Sequence, residues 1–479
     1  MIAADSAVAH PASHNPANRN LTLRLVQVAA CIGLPIAVML APAGLESNTR
    51  AALAIAAFMI IAWATEVMEY TAAGLIGLLL FWFFKVAEPA VIFRGFVDPA
   101  VWYYFGAVLL GTIATKSGLT QGIGSFVVTR VGLTYSRLLF GLILIDFLLT
   151  FIVPSGTARV VIMAPLCITV IDLFGVGRGS NIGRGVFLLV TYASATFDKM
   201  IIAGTGAITA RGFIERVGEV DVTYSFWLLA FLPCSIITIF AGWRLTLWLF
   251  PPEVESLEDR REEIAAHFRT GRAPAPDAIK STVLIALAVG LWLTDSFHDI
   301  PAAMIAFGIG LLALLPFVEV LNIDDLRKAN ILPFFFVGAA LGMSEVLRET
   351  GGLQLLTSAM MAGVEPYLQD RTLAVPFLYW TAFIYHFFTA SEIPMLATSL
   401  PVLMEYSKTH MLDPLWVGMV WSFSAGGKLF AYQSAPLVVG YSYGYFRHTD
   451  LIKLGGLITI LEFFALAFCV AFWWPLFGF

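Results

Sequence analysis

The feature that most constrains this chain is its series of apolar runs, each close to the roughly 20 residues that a helix needs to cross a bilayer. Only 13% of the residues are charged and the mean hydropathy is +0.84, whereas soluble domains carry about 25% charged residues. The sequence therefore predicts an all-α polytopic membrane protein with about 11 transmembrane helices. The predicted crossings lie near residues 23–42, 51–65, 70–86, 100–116, 186–210, 225–250, 279–296, 301–318, 331–348, 413–441 and 454–478.

Two polar stretches divide the chain. Residues 1–22 are predicted to form a cytoplasmic N-terminal tail, and residues 251–278 a charged cytoplasmic linker. Between them, residues 23–250 would hold a first transmembrane helix and a first repeat, and residues 279–479 a second repeat. Lys and Arg are more frequent in the loops on the side of the linker, which predicts a cytoplasmic membrane protein with its N-terminus inside and its C-terminus outside.

Two apolar stretches, 138–175 and 373–406, are too long for one crossing and are interrupted by polar or small residues. The first contains Pro154-Ser155-Gly156-Thr157, and Pro and Gly free backbone groups that lipid cannot satisfy. Each stretch is predicted to be a re-entrant hairpin that enters and leaves the membrane on the same side. Unpaired N–H groups at such a tip suit an anion, and carbonyl oxygens there suit a cation.

The two halves of the chain resemble each other. "PSGTARVVIMAP" is echoed by "TASEIPMLATSLP", and "DKMIIAGTGA" by "GKLFAYQSAP", so that Lys199 matches Lys428. The matches occur in the same order at a nearly constant shift. An odd number of crossings in each half would invert the second repeat, and inverted repeats with broken helices are typical of alternating-access transporters.

Two further segments combine Gly, Pro and small hydroxyl residues inside long apolar spans. They are "AGTGAITARG", residues 203–212, and "YQSAPLVVGYSYG", residues 432–444. We expect them to be unwound loops within two broken helices that face the hairpin tips. Ser and Thr hydroxyls there can bind carboxylate or sulfate oxygens without adding a buried charge.

Several function classes are disfavoured. No GxSxG, HExxH or Walker motif indicates an enzyme, and the four cysteines have no metal-binding spacing. A net charge of −5 does not favour nucleic acid. No cofactor is expected.

Three segments resemble the divalent anion/sodium symporter family. They are "TEVMEYTAAGLIGLLL" from Thr65, "FVDPAVWYYFGAVLLGTIATKSGL" from Phe96, and "APLVVGYSYGYFRHTDLIKLG" from Ala435. The resemblance implies a homodimer that moves one carboxylate or sulfate substrate by an elevator mechanism. In that family, Ser-Asn-Thr motifs at the two tips and the unwound loops form two sodium sites and the substrate site.

By position, the resemblance places the tip motifs on Ser155-Gly156-Thr157 and Ser391-Glu392-Ile393. It places the loop motifs on Gly204-Thr205-Gly206 and Ser434-Ala435-Pro436. The implied substrate-binding residues are Ser155, Gly156, Thr157, Ser391, Glu392, Thr205, Gly206, Ser434, Ala435 and Pro436. Gly204 would contribute to ion coupling. Sodium, the one coupling ion implied, would bind at Ser155, Gly156 and Ser391.

The tips depart from the family pattern, because Gly156 and Glu392 replace the Asn residues and Ile393 replaces a Thr. Lys199 and Lys428 occupy matched positions within the apolar spans, where a charge is costly and usually paired or functional. We therefore hypothesise that each lysine supplies the positive charge that sodium supplies elsewhere.

Alternatives remain open for the charged residues. Lys199 could pair with Asp198, and Lys428 with Glu392, which could also carry a proton. Arg159 could grip a substrate carboxylate, although a position against lipid headgroups is slightly favoured. His386 is interpreted as a packed residue and not as a proton relay.

The sequence therefore predicts a cation-coupled secondary transporter of small di- or tricarboxylates or sulfate-like anions. The alternative within transport is a sodium-independent exchanger, a proton symporter or a passive anion conductor. A polytopic membrane enzyme is a weaker alternative.

Overall fold

The computed structural model describes residues 21–40, 45–65, 67–116, 133–153, 155–257, 278–361, 364–368, 370–389 and 392–478. Most of the predicted N-terminal tail and linker, and the tip residue Ser391, lie outside the described residues. Within the described residues the only β-structure is an isolated bridge between Thr134 and Ser256. The prediction of an all-α fold is confirmed for this part of the chain.

The first half contains nine helices of eight residues or more in its described part. They are α1 Leu21–Leu40, α2 Ser47–Thr65, α3 Tyr70–Phe83, α4 Pro99–Lys116, α5 Tyr135–Thr150, α6 Gly156–Leu173, α7 Asn181–Thr196, α8 Thr205–Gly218 and α9 Tyr224–Leu249.

The described part of the second half also contains nine helices of eight residues or more. The helices are α10 Ala278–Leu293, α11 Ala302–Leu312, α12 Leu332–Glu349, α13 Gly352–Met361, α14 Arg371–His386, α15 Glu392–Thr409, α16 Pro414–Ser424, α17 Ala435–Ser442 and α18 His448–Phe468.

Helix bounds repeat between the halves. The first hairpin consists of α5 and α6 and the second of α14 and α15, and their helices begin at positions that differ by the same 236 residues. The broken pair α7 and α8 corresponds to α16 and α17. Within the described residues helix α1 has no counterpart, as expected if it precedes the first repeat.

The helices pack in two groups. In the first, α2 to α4 pack with α10 to α12. In the second, the two hairpins pack with both broken helices and with α9 and α18. We call these the outer group and the hairpin group. Each repeat therefore contributes helices to both groups.

Short polar caps fix the starts of many helices. Thr134, Ser155, Ser180 and Thr223 each accept a hydrogen bond from a backbone N–H in the first turn of α5, α6, α7 and α9. Such caps satisfy donors that an apolar environment would leave unpaired. A Ser or Thr inside an apolar sequence therefore marks several of the helix starts.

By length and composition, four helical stretches could cross a membrane: Ser47–Thr65, Gly156–Leu173, Tyr224–Leu249 and His448–Phe477. Five shorter apolar helices accompany them. The second limb of the first hairpin, α6, is thus long enough to span by itself. Re-entrance of the hairpins stays a prediction.

Candidate functional site

The breaks in the two broken helices lie earlier in the chain than predicted. Helix α7 ends at Thr196 and is followed by a 3-10 turn at Phe197–Lys199, and α8 begins at Thr205. Helix α16 ends at Ser424 and α17 begins at Ala435. Most of the residues expected in unwound loops are therefore helical, and Lys199 and Lys428 lie inside the breaks themselves.

Local chemistry explains the shift. Pro436 lies in the first turn of α17, where the missing N–H of proline is not needed by the helix. A methyl group on Gly204 would lie 2.3 Å from the carbonyl oxygen of Asp198, so only glycine fits where the chain folds back on the turn. Proline and glycine thus start the second halves of these helices and do not unwind them.

The first hairpin tip is closely packed. The hydroxyl of Ser155 accepts from the N–H of Ala158 at 3.3 Å and caps α6. A methyl group on Gly156 would lie 2.4 Å from the carbonyl oxygen of Ser194 and 2.8 Å from Cγ of Pro436. The tip of the first hairpin therefore contacts the start of α17, and an asparagine side chain has no room at position 156.

Arg159 is fully buried beneath this tip. Its guanidinium donates to the carbonyl oxygen of Val153 at 2.8 Å and to that of Ser194 at 2.6 Å. It also donates to Oδ1 of Asp198 at 2.7 Å. The expectation that Arg159 faces lipid headgroups was wrong, because these three acceptors all lie inside the hairpin group.

A second carboxylate supports Arg159. Oδ1 of Asp146, on α5, lies 3.7 Å from Nε of Arg159 and accepts from the hydroxyl of Ser194 at 2.5 Å. Both Asp146 and Arg159 are completely buried. The two limbs of the first hairpin and the end of α7 are thus joined by one buried polar network, which stabilises their relative positions.

Lys428 lies at the second break with all of its ammonium donors used. Nζ donates to the carbonyl oxygens of Ala195 and Gly426 and to Oε2 of Glu392, each at 3.0 Å. The side chain of Lys428 is 1% exposed. Ala195 lies at the C-terminal end of α7, where the helix dipole favours a positive charge. This oxygen cage is of the kind that binds a cation.

Glu392 is the first residue of α15 and lies at the second hairpin tip. Besides its contact with Lys428, its other carboxylate oxygen faces the start of α8, because a methyl group on Gly206 would lie 2.5 Å from Oε1. Oε1 has no hydrogen-bond partner among the described residues. Glu392 is therefore a buried carboxylate placed between an ammonium group and a helix N-terminus.

Lys199 has a different environment. Its Nζ is 2.6 Å from Oε2 of Glu462 on α18, and it lies 4.2 Å from the ring centroid of Phe423. Both Lys199 and Glu462 are 1% exposed. Lys199 does not pair with Asp198, which binds Arg159, and its stem runs along Gly426. The two lysines therefore lie in corresponding breaks and have different partners, Glu462 and Glu392.

The other predicted site residues differ in their exposure. Ser155, Thr157 and Thr205 are partly exposed and Ala435 is exposed, whereas Ser434 is buried at the start of α17. His386 is fully buried, and its Nε2 lies 3.0 Å from the carbonyl oxygen of Gln433. The first turns of α6, α8 and α17 thus carry polar or small residues at accessible positions, as anion binding requires.

Asp146 and Glu462 were missed in the sequence. Each is a single acidic residue in an apolar helix, in "LILIDFLLT" and "ITILEFFAL". An isolated charge in such a run needs a buried partner or a function. That signal is the one that drew attention to Lys199 and Lys428, and applied to acids it would have found both residues.

Comparison with known proteins identifies the family. The family model described as the sodium:sulfate symporter transmembrane region matches residues 19–479. The chain belongs to the sodium:sulfate symporter family. The resemblance to divalent anion/sodium symporters noted in the sequence is thereby confirmed. As a member of the sodium:sulfate symporter family, the chain is an integral membrane transporter of small anions and not an enzyme.

Relatives of this sodium:sulfate symporter family member include proteins named as antiporters. The chain is 24% identical over 380 residues to the citrate/succinate antiporter of Escherichia coli K12, covering 77% of each chain. It is 22% identical over 476 residues to the L-tartrate/succinate antiporter of Shigella dysenteriae, covering 92% of this chain and 95% of the relative. A membrane protein of Cupriavidus necator is 27% identical over 406 residues, with 79% and 77% covered.

Solved structures share the fold. The YdaH transporter of Alcanivorax borkumensis superposes with a TM-score of 0.52 at 14% identity, covering 95% of this chain and 99% of that one. MtrF of Neisseria gonorrhoeae, from a class of antimetabolite efflux pumps, gives the same TM-score and identity over 94% of each chain. At this identity the likeness concerns the fold alone.

Proposed function

We propose that this protein transports small dicarboxylates and related dianions across the cytoplasmic membrane without sodium coupling, and that it exchanges one anion for another. The observation that carries the proposal is the cage of Lys428. Two backbone carbonyls and one carboxylate surround its ammonium group at 3.0 Å. Such oxygens would suit a bound metal cation, and here a side chain of the protein takes that place.

Arg159 supplies the corresponding charge at the first tip. It binds the carbonyl oxygens of Val153 and Ser194 close to Gly156. Because Gly156 has no space for a side chain, the amide oxygen of an asparagine is not available there to a sodium ion. The geometry supports Lys428 and Arg159 as the fixed cations at the tips, paired with Glu392 and Asp198, as Lys199 is paired with Glu462.

Fixed cations favour exchange for a simple electrostatic reason. A sodium-coupled carrier loses its positive charge when sodium leaves, so its empty form can return across the membrane. A carrier with built-in cations keeps them when it is empty, and moving an unpaired cation through the bilayer is costly unless an anion accompanies it. The relatives named citrate/succinate and tartrate/succinate antiporters fit this expectation.

Sodium-coupled symport is the second candidate, because the family is described as sodium:sulfate symporters. Labelled succinate and sulfate uptake into proteoliposomes separates the two. We expect succinate uptake that is stimulated by internal succinate and unchanged when sodium replaces potassium. Accumulation driven by an imposed sodium gradient would contradict the proposal.

Translocation is proposed to occur by an elevator movement of the hairpin group against the outer group. Polar contacts between the groups include Arg216 Nε with Glu345 Oε1 at 2.7 Å and the N–H of Tyr224 with Oδ2 of Asp295 at 2.7 Å. Elsewhere small residues meet, as where a methyl group on Gly212 would lie 2.8 Å from Cβ of Ala100. A homodimer, implied by the resemblance, would anchor the outer groups of two copies.

A further inference from the structure

The carboxylate of Glu392 occupies a position that suits a carboxylate of the substrate. One of its oxygens is 3.0 Å from the ammonium group of Lys428. The other faces Gly206 in the first turn of α8, where Gly204 provides no side-chain cap for the free N–H groups. An ammonium group and an uncapped helix N-terminus are together a site for a carboxylate.

The position of Glu392 is also incompletely satisfied. Glu392 is only 8% exposed, yet Oε1 has no hydrogen-bond partner among the described residues. A buried charged oxygen without a donor is costly. Glu392 is therefore held by Lys428 on one side and is free on the other to be replaced by a better-bound anion.

We propose that Glu392 is a tethered substitute for the substrate carboxylate. When the site is empty, Glu392 neutralises Lys428, and when a dicarboxylate binds, one carboxylate of the ligand displaces it. This inference rests on the proposed function and adds a property to it. With Lys428 paired by the chain itself, the empty site holds no unpaired ammonium group, so its return is permitted and net transport accompanies exchange.

Replacing Glu392 with glutamine removes the tethered carboxylate at nearly constant size. The empty site then holds an unbalanced Lys428, and its return without an anion is opposed by the cost of moving that charge. Exchange is unaffected by that cost, because an external anion replaces the internal one before each return. We therefore expect Glu392→Gln to lower net transport at least tenfold relative to exchange.

The experiment uses the full chain in proteoliposomes and labelled succinate. Exchange is measured with unlabelled succinate on the opposite side, and net transport with none. The matched control is Glu219→Gln, which removes the carboxylate of a 2.6 Å ion pair with Lys408. Glu219 and Lys408 lie at the C-terminal ends of α8 and α15, whereas the second hairpin tip lies at the N-terminal end of α15. The control should keep the wild-type ratio of net transport to exchange, and Glu392→Asp should keep a measurable part of net transport.

Ligand binding provides a readout that does not depend on transport. Removal of an internal competitor strengthens binding, so saturating succinate should raise the melting temperature of Glu392→Gln more than that of the wild type. An unchanged ratio of net transport to exchange in Glu392→Gln would overturn the inference. So would an equal loss of net transport and exchange in which succinate raises the melting temperature of the variant no more than that of the wild type.

The outcomes also separate this inference from the proposed function. Sodium-driven accumulation by the wild type would refute sodium-independent exchange, whatever Glu392→Gln does. A normal sodium-independent exchange with an unaltered ratio in Glu392→Gln would refute only the role of Glu392.

Discussion

Nη2 of Arg159 donates to Oδ1 of Asp198 at 2.7 Å, and this bond joins the first hairpin to the turn between α7 and α8. The guanidinium also binds the carbonyl oxygens of Val153 and Ser194. Because a planar fork of donors serves three acceptors in different directions, no other side chain can replace it.

Arg159→Gln should therefore be among the most damaging single substitutions. It leaves Asp146 and Asp198 buried without their cation, and removal of one partner of a buried pair costs about 3–5 kcal/mol. We expect loss of uptake and a large fall in unfolding midpoint in detergent. Arg327→Gln, at a largely exposed pair with Asp324, is the control and should change stability by less than about 0.5 kcal/mol. A stable Arg159→Gln would contradict this account.

Gly156 tests the packing of the first tip. Gly156→Asn restores the family residue, but its Cβ would lie 2.4 Å from the carbonyl oxygen of Ser194. We expect the variant to lose folded protein and to gain no sodium dependence, as judged by size-exclusion chromatography and uptake. Gly290→Ala in α10, where nothing lies within 4 Å, should be stabilised by up to about 1 kcal/mol. Sodium-stimulated uptake by Gly156→Asn would overturn the steric argument.

The two lysine pairs should respond differently to neutralisation. Lys428→Gln and Lys199→Gln each leave a buried carboxylate unpaired, at a cost of about 3–5 kcal/mol. Adding Glu392→Gln or Glu462→Gln to the respective lysine variant should recover much of the stability, because no charge is left alone. We expect the Lys199/Glu462 double variant to retain some uptake and the Lys428/Glu392 double variant to have none. Equal uptake by both would show that Lys428 is not needed for anion binding.

Two ion pairs of similar length test the elevator movement. Arg216 and Glu345 join the hairpin group to the outer group at 2.7 Å, whereas Lys408 and Glu219 lie within the hairpin group at 2.6 Å. Cysteine pairs at each position should cross-link with a short thiol reagent. We expect the first cross-link to stop uptake and reduction to restore it, while the second leaves uptake intact. Full activity of the cross-linked first pair would exclude relative movement at this contact.

Glu219 predicts a pH dependence of stability. The hydrogen bond from Lys408 holds the pKa of the Glu219 carboxyl below its ordinary value. A carboxyl with a lowered folded-state pKa stabilises the protein above the ordinary glutamate pKa, and that contribution disappears as the pH falls through the lowered value. Wild type should therefore exceed Glu219→Gln slightly in melting temperature at pH 7, and the difference should vanish in acid. A difference that grows on acidification would contradict the assignment.

The sequence indicated the hairpins, the broken helices and the correspondence of the halves, because polar and small residues inside apolar runs are conspicuous. It located the breaks incorrectly, since Gly and Pro were interpreted as unwinding signals although Gly204 and Pro436 stand where helices begin. The partners of Lys199 and Arg159 were also not predictable. Glu462 lies 263 residues from Lys199, and the packing of α18 against α7 and α9 brings it close.

The cage of Lys428 has a consequence for the energy supply of the cell. A cation that is part of the chain is present in any medium, however poor in salt, and cannot be lost to either side of the membrane. If Lys428 takes the place of a coupling cation, as proposed above, a salt gradient would not drive accumulation through the protein. Such a carrier would take its driving force from the anions themselves, and the direction of its flux would follow whichever organic acid the cell makes in excess.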